Sequence, residues 1–500
     1  MKTFFKTYAR FIYPIVILLV SYSIYFPYYG NPQAMFWDEN YHVANAQKHI
    51  DGMMYMEPHP PLGKMLMAVG EVFFGGNEGI NKQALLETDY LTGDAAPPTM
   101  TYKGFRWPSV VMMAFAVVFF YGIINCITQR AWLAAAFTSL VIFDNALVVH
   151  SRAAHLDGIQ LFFVLGALYY FVRTVTQFIY HQKSVRLKDY AILGVWIGLG
   201  IMVKVTAAIL MLLFAMLYIV EQWQQIKTWK WDALLHRLAV TVPSAVIPVI
   251  LSICAIFYIH IGMGTKIVAN KTYKASPEYL NQIRAGDTWS LKTFQLGIRD
   301  NWKYMSEYAD GVPRLDICKP DENGSYALSW PLSKKTISYR WDRNVEDGKV
   351  IVKYKYLIGN PIVWFSIVGG IILSVGLIIS RYVYNNPVKD EKLFYWICAF
   401  TGLYICYMTT ILQIERVMYL YHYFIALIFG AINLALIYTY IYRDEVIANN
   451  KHTIINTTLF AALVIAIFAF FSPFTYGFGL TEDQFEMRNW FEFWKLQVVR

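Results

Sequence analysis

Charged side chains are scarce in this chain. Lys, Arg, Asp and Glu make up 15% of its 500 residues, against about 25% in a soluble domain. That scarcity excludes an ordinary water-soluble globule. Cysteine is also thin: Cys126, Cys254, Cys318, Cys398 and Cys406. All but Cys318 lie in hydrophobic stretches, and no spacing matches a metal knuckle or a disulfide framework. They read as small apolar fillers. The signature motifs of several enzyme classes are missing as well. There is no Walker-type phosphate loop, no GxGxxG after a strand, no GxSxG elbow and no HExxH helix. A nucleotide-using enzyme is therefore disfavoured, and no motif calls for a metal. No internal repeat is visible, which counts against the repeat-built membrane transporters.

What the chain has in quantity is apolar sequence. Hydrophobic residues reach 57%, and the mean hydropathy is +0.38. A helix needs about 20 apolar residues to cross a bilayer. Eleven stretches qualify: approximately 10–27, 107–127, 131–150, 154–174, 189–203, 205–221, 237–261, 361–381, 393–413, 416–441 and 453–473. The chain is predicted to be an all-α polytopic membrane protein. The first stretch follows Lys2, Lys6 and Arg10, as a signal peptide would. Asn31-Pro32-Gln33-Ala34 is a poor cleavage site, so the stretch reads as a retained anchor.

The net charge of +9 needs no nucleic acid to explain it. Much of the excess falls in alternate short loops, for example Arg173, Lys183, Arg186 and Lys188, then Lys227, Lys230 and Arg237. The positive-inside rule then places the N-terminus inside and the C-terminus outside. Two long outward loops follow, 28–106 and 262–360. The predicted division is an N-terminal transmembrane half 1–261, a cap 262–360, C-terminal helices 361–473 and an outward tail 474–500. The cap is expected to fold, because Trp289, Trp302, Trp330 and Trp341 are too aromatic for a linker. Lys349-Val350-Ile351-Val352-Lys353-Tyr354 reads as β-strand.

The chemistry collects on the outward side. Asp38-Glu39 sits just beyond the first span, and His59-Pro60-Pro61-Leu62-Gly63-Lys64 follows in the same loop. The Pro-Pro step is expected to form a rigid extended corner. Arg106, Arg152, Lys204 and Arg416 fall at outer span edges, with Asp157 beside Arg152. Singly, each cation could snorkel to the headgroups. Together they suit a phosphate-bearing lipid, which cations hold by charge-assisted hydrogen bonds. A carboxylate beside them could take a proton from an acceptor hydroxyl. The structural alternative for Asp38 is simple capping of the helix that begins near Glu39.

In this order along the chain, the motifs resemble those of the protein O-mannosyltransferase family, GT-C enzymes that take sugars from polyprenyl phosphates. The matching residues are Asp38-Glu39, the HPPLGK segment 59–64, Arg106, Ser151-Arg152 with Leu156-Asp157, Gly200 to Lys204, Leu357 to Trp364, and Arg416 with His422-Tyr423. The resemblance implies a GT-C fold of about eleven transmembrane helices. It implies an inverting transferase that moves a sugar, mannose foremost, from a polyprenyl-phosphate carrier to Ser/Thr of exported proteins. Asp38 is then the expected catalytic base, with Glu39 as its partner. Arg106 and Arg416 are expected to hold the donor phosphate, with Arg152, Lys204 and Lys64 as further candidates. His59, His422 and Tyr423 are expected to bind substrate. No metal and no cofactor beyond the lipid-linked sugar is expected. The partners are the bilayer, that donor, and an exported protein or lipid acceptor. Residues 262–360 leave no room for the β-trefoil insert of eukaryotic members, so the chain resembles a bacterial one, in the inner membrane with its site facing the periplasm. The family pattern is broken at Tyr421, where it has histidine, and at Phe365, where it has tryptophan. Bacterial relatives include enzymes that modify lipid A, which keeps that acceptor open.

Overall fold

The computed structural model describes residues 2–268, 271–320, 322–346 and 348–499, with side chains from residue 11 onward. Among these residues, seven helices are long and apolar enough to cross a bilayer: Lys103–Thr128, Leu156–His181, Trp231–Met263, Pro361–Tyr382, Glu391–Leu412, Leu420–Ile441 and Lys451–Tyr476. An eighth is a broken pair, Ala131–Ile142 with Asn145–Ser151, bent by 62°. Phe11–Tyr25 and Val205–Glu221 are shorter apolar helices, and Leu187–Val203 has 17 residues. Each of the eleven expected stretches thus overlaps a helix, and among the described residues seven of them pass as unbroken spans. Several of these helices leave large apolar side chains uncovered, such as Leu251, Ile372 and Leu459. Lipid tails, which are as apolar as leucine, are the solvent such faces need.

The chain divides into two compact units. The first is Met1–Pro27, Ala114–His150 and Pro313–Arg500; the second is Tyr28–Met113 and Ser151–Val312. This differs from the expected division. Residues 262–360 do not form one cap: 262–312 packs with the second unit and 313–360 with the first. Nor do residues 1–261 form one half, because 1–27 and 114–150 pack with the C-terminal helices. The tryptophans misled on this point. Only Trp330 is buried; Trp289, Trp302 and Trp341 are 49%, 66% and 51% exposed.

In the first unit, strands Ile337–Glu346 and Lys349–Leu357 form an antiparallel hairpin, and Gly479–Leu480 adds a third strand. The second strand contains the predicted β stretch. Its inward residues Val352, Tyr354 and Tyr356 pack on Phe471, Phe474, Phe485 and Trp494. Residues 474–499 are therefore part of a folded layer. The break between Ala131–Ile142 and Asn145–Ser151 is held by Asp144, which is fully buried. It accepts from Leu147 N at 2.9 Å, Asn360 N at 3.0 Å and Trp364 Nε1 at 2.8 Å. Asn360 caps the Pro361–Tyr382 helix through Ile362 N, with Pro361 at the first helical position, where no N–H is needed. The Gly359-Asn360-Pro361-Ile362-Val363-Trp364 segment is thus a helix start locked to a helix break.

The second unit holds the outer-loop motifs. The Glu39–Ile50 helix buries a polar set, Glu39, His42, Asn45, Gln47, Lys48 and His49. The Leu62–Phe74 helix starts directly after Pro61, whose φ −80° and ψ −17° are already helical. The Pro-Pro step therefore launches a helix and does not stay extended. Gly63 follows because the chain passes so close to Leu156 that an added Cβ would stand 2.4 Å from Leu156 Cδ2.

Candidate active site

Asp38 and Glu39 are neighbours in opposite environments. Glu39 is fully buried. Its Oε1 accepts from Arg106 Nε and from Ala154 N, each at 2.7 Å. Its Oε2 accepts from Arg106 Nη2 at 2.7 Å and Phe36 N at 3.1 Å. Arg106, equally buried, donates its other N–H groups to the carbonyls of Pro32 at 2.8 Å, Ala34 at 2.8 Å and Tyr29 at 3.4 Å. A guanidinium has five N–H donors, and all five are engaged. The planar fork matches the carboxylate in two parallel bonds. Each charge offsets the large cost of burying the other.

This geometry bears on two of the expected roles. Arg106 has no N–H left for a donor phosphate; it fastens the 29–39 segment. Glu39 has both oxygens engaged, by Arg106, Ala154 N and Phe36 N.

Asp38 is half-exposed and occupies the N-cap position of the Glu39–Ile50 helix, yet its side chain makes no capping hydrogen bond. A capping carboxylate would accept from an N–H one turn into the helix. Simple capping therefore does not account for this aspartate. Trp37, just before it, has φ 55°. That left-handed conformation costs a non-glycine residue about 1–3 kcal/mol and persists only where the surroundings enforce it. Here the bonds from Arg106 and to Phe36 N supply that enforcement.

Lys64 and Lys204 come with their own carboxylates. Lys64 is fully buried, and its Nζ lies 2.6 Å from Glu57 Oε1. Asn45 Nδ2 donates to the other Glu57 oxygen at 2.9 Å. Burial pulls Lys64 down and pushes Glu57 up, each opposed by the other's charge. Asp38 and Lys204 both lie within electrostatic reach of Lys64. Lys204 Nζ bonds Asp157 Oδ1 at 2.8 Å. Arg152 is 3% exposed, in the turn whose Ala154 N–H reaches Glu39. His59 is half-buried, with its ring 6.4 Å from that of His42. His155 stands equally far from His42 on a perpendicular plane. Burial, then the Lys64 charge, holds the His42 imidazole well below its usual range. Among the described residues, no group of three His, Cys, Asp or Glu side chains is placed to hold a metal ion.

The other three predicted residues belong to the first unit. Arg416 is half-buried and opposes Arg314 in an isolated antiparallel bridge, with Val417 N bonded to Pro313 O at 2.8 Å. It lines a cavity of about 330 Å³ with Arg314, Ser325, Ile411 and Met418. No carboxylate pairs with it among the described residues. His422 stacks on Tyr421, ring centres 4.6 Å apart. Tyr423 is fully buried. Its hydroxyl meets that of Tyr404 at 3.0 Å, and its ring packs on Trp364 at 5.2 Å. Tyr423 is thus packed in the core of this unit.

Two family models match the chain. Residues 15–263 match "Dolichyl-phosphate-mannose-protein mannosyltransferase", and residues 301–494 match the "C-terminal four TMM region of protein-O-mannosyltransferase". The chain belongs to the protein O-mannosyltransferase family. Dolichyl-phosphate-mannose–protein mannosyltransferase 1 of Saccharomyces cerevisiae is 31% identical over 141 residues, which is 28% of this chain and 16% of that protein. Dolichyl-phosphate-mannose–protein mannosyltransferase 5 of Candida albicans is 22% identical over 352 residues, 66% of this chain and 46% of that protein. The chain thus spans less than half the length of these curated relatives. Among solved structures, the S. cerevisiae protein O-mannosyltransferase Pmt1–Pmt2 complex bound to the sugar donor has the same fold. Its TM-score is 0.80 at 15% identity, covering 96% of this chain and 92% of that one. This is a multi-pass membrane protein of GT-C architecture.

Within that family frame, the expectations about the outer loop missed several residues. Glu57, His42 and His155 line the same cluster as Lys64 and Lys204. A signal for two of them was present: His42 is one helical turn beyond Asp38, and Glu57 stands two residues before His59. His155 had none, because its role depends on where the 151–155 turn packs.

Proposed function

We propose that this protein is an inverting glycosyltransferase. It moves a hexose, mannose foremost, from a polyprenyl-phosphate carrier to Ser/Thr hydroxyls of exported proteins. The observation that carries the reading is Asp38, a half-exposed carboxylate held by its neighbours and unused by its helix. Asp38 accepts the proton of the acceptor hydroxyl as its oxygen attacks the anomeric carbon. The bond from that carbon to the phosphate oxygen breaks, and the electron pair leaves with the phosphate. One displacement inverts the configuration. Lys204 and Arg152 hold the departing phosphate, and Lys64 keeps the field around Asp38 positive. His59 contacts substrate.

The charged groups support an enzyme over a transporter. Arg106 and Asp157 lie in the first turn of their helices, and Lys204 follows the end of Leu187–Val203. Transporters instead gather such groups near the bilayer midplane. The reading places 28–106, 262–360 and the C-terminal residues outside a bacterial inner membrane, in line with the basic inner loops.

The test is reconstitution in lipid nanodiscs with polyprenyl-phosphate mannose and two acceptors, a Ser/Thr-rich peptide and lipid A. Mannosyl peptide of inverted configuration is the expected product. Transfer to lipid A alone would move the acceptor assignment, and no transfer to either would remove the reading.

A further inference from the structure

The cluster beside Asp38 contains three imidazoles, and two of them have no assigned task. Asp38 and His42 are four residues apart on one helix, hence on one face. His42 is 5% exposed, and its Nδ1 has no hydrogen-bond partner among the described residues. A buried ring nitrogen without a partner costs stability unless something bonds it. The rings of His59 and His155 stand on either count 6.4 Å from that of His42, both nearly perpendicular to it at 86°. His155 is buried and packs edge-on to Phe36 at 5.8 Å. His59 is the more exposed member.

Three explanations compete for such a group. A metal site is not supported, since no three ligands converge among the described residues. An anion site is not supported either. Burial, then the Lys64 charge and the neighbouring imidazoles, opposes a positive charge on His42, so His42 itself brings no cation to an anion. A neutral imidazole offers one donor and one acceptor. That is the pattern of a sugar hydroxyl, which likewise donates and accepts.

We propose that His42, His59 and His155 form the subsite that takes the hexosyl ring of the lipid-linked donor, with His42 Nδ1 bonding one ring hydroxyl and thereby selecting the hexose. This rests on the glycosyl-transfer reading above. The ring would lie with its anomeric carbon toward Asp38 and its hydroxyls toward His42. A site built to bond a hydroxyl discriminates against sugars that present it wrongly, because its own polar atom is then left unpaired.

The test compares full-length wild type, His42→Gln and His42→Phe in nanodiscs. Each receives polyprenyl-phosphate mannose, glucose or galactose with one Ser/Thr peptide, and kcat/KM is measured for each donor. These sugars differ only in the configuration of ring hydroxyls. The wild type is expected to prefer one of them. His42→Phe is expected to narrow that preference by roughly tenfold, the worth of one lost hydrogen bond. His42→Gln, which keeps a donor and an acceptor, should retain part of it. Should His42→Phe fail to accumulate in membranes, the same ratio in His42→Asn and His42→Gln decides. A packing role would lower all three donors equally, so an unchanged ratio overturns the proposal, as does a wild type indifferent to the three sugars. A wild type that transfers none of them removes the glycosyl-transfer reading and this inference with it.

Discussion

Replacing Arg106 by lysine separates a loop clamp from a phosphate ligand. Arg106 bonds five acceptors in a fully buried setting: both oxygens of Glu39 and the carbonyls of Tyr29, Pro32 and Ala34. An ammonium has about three donors, so roughly two of those acceptors lose their partner. At about 1–3 kcal/mol for each buried acceptor left unmet, the 29–39 segment loosens by roughly 2–6 kcal/mol. Limited proteolysis in nanodiscs reads this directly. Cleavage within 29–39 should accelerate at least about tenfold, since 1.4 kcal/mol is a tenfold change in an opening equilibrium. Turnover should fall with it, because Asp38 sits on the loosened segment. Affinity for polyprenyl phosphate should stay near that of the wild type. Unchanged cleavage together with a tenfold weaker lipid-phosphate affinity would refute the clamp and return Arg106 to the phosphate.

Two further outcomes follow from groups away from the chemistry. Burial pushes Glu71 from 4.5 up to about 7, against a 2.7 Å bond from Asn77. The folded protein therefore binds that proton more tightly than the unfolded chain does. Stability from this group is greatest below about pH 4.5 and is lost as pH rises through about 7. Glu71→Gln keeps the acceptor for Asn77, so it should flatten the decline of Tm between pH 5 and 8; an identical slope in the variant would exclude Glu71 as its source. Trp364→Phe removes the 2.8 Å bond to Asp144 and leaves a buried carboxylate oxygen one donor short. It should cost about 1–3 kcal/mol, seen as a lower Tm with unchanged donor KM; an unchanged Tm would mean the Asn360 contacts suffice.

The fold class and the outer-loop motifs were legible in the sequence because lipid and chain length impose them. Every expected apolar stretch overlaps a helix, and Lys349–Leu357 is a strand. The two packing units were not legible, because they interleave segments far apart in the chain. At the candidate site, residue type alone does not show how each group is packed. Asp38 and Glu39 look equivalent as a pair of acids. Only packing reveals that Glu39 is sealed against Arg106 while Asp38 stays half-exposed. Arg106 and Arg416 both sit at helix edges in sequence; one is saturated by five acceptors, and the other lines a cavity with no carboxylate partner among the described residues. Tyr423 sits in a functional-looking motif and belongs to the core.

The central claim is that Asp38 is the base, and one substitution addresses it. Asp38→Asn keeps the shape of the side chain and removes its ability to take a proton. No capping bond is at stake, since the native side chain makes none. Single-turnover transfer from polyprenyl-phosphate mannose to a Ser/Thr peptide, with saturating donor, isolates the chemical step. The account predicts a rate lower by about 10²–10⁴-fold, with donor affinity and membrane yield close to those of the wild type. A near-normal rate in Asp38→Asn would contradict it and place the base elsewhere.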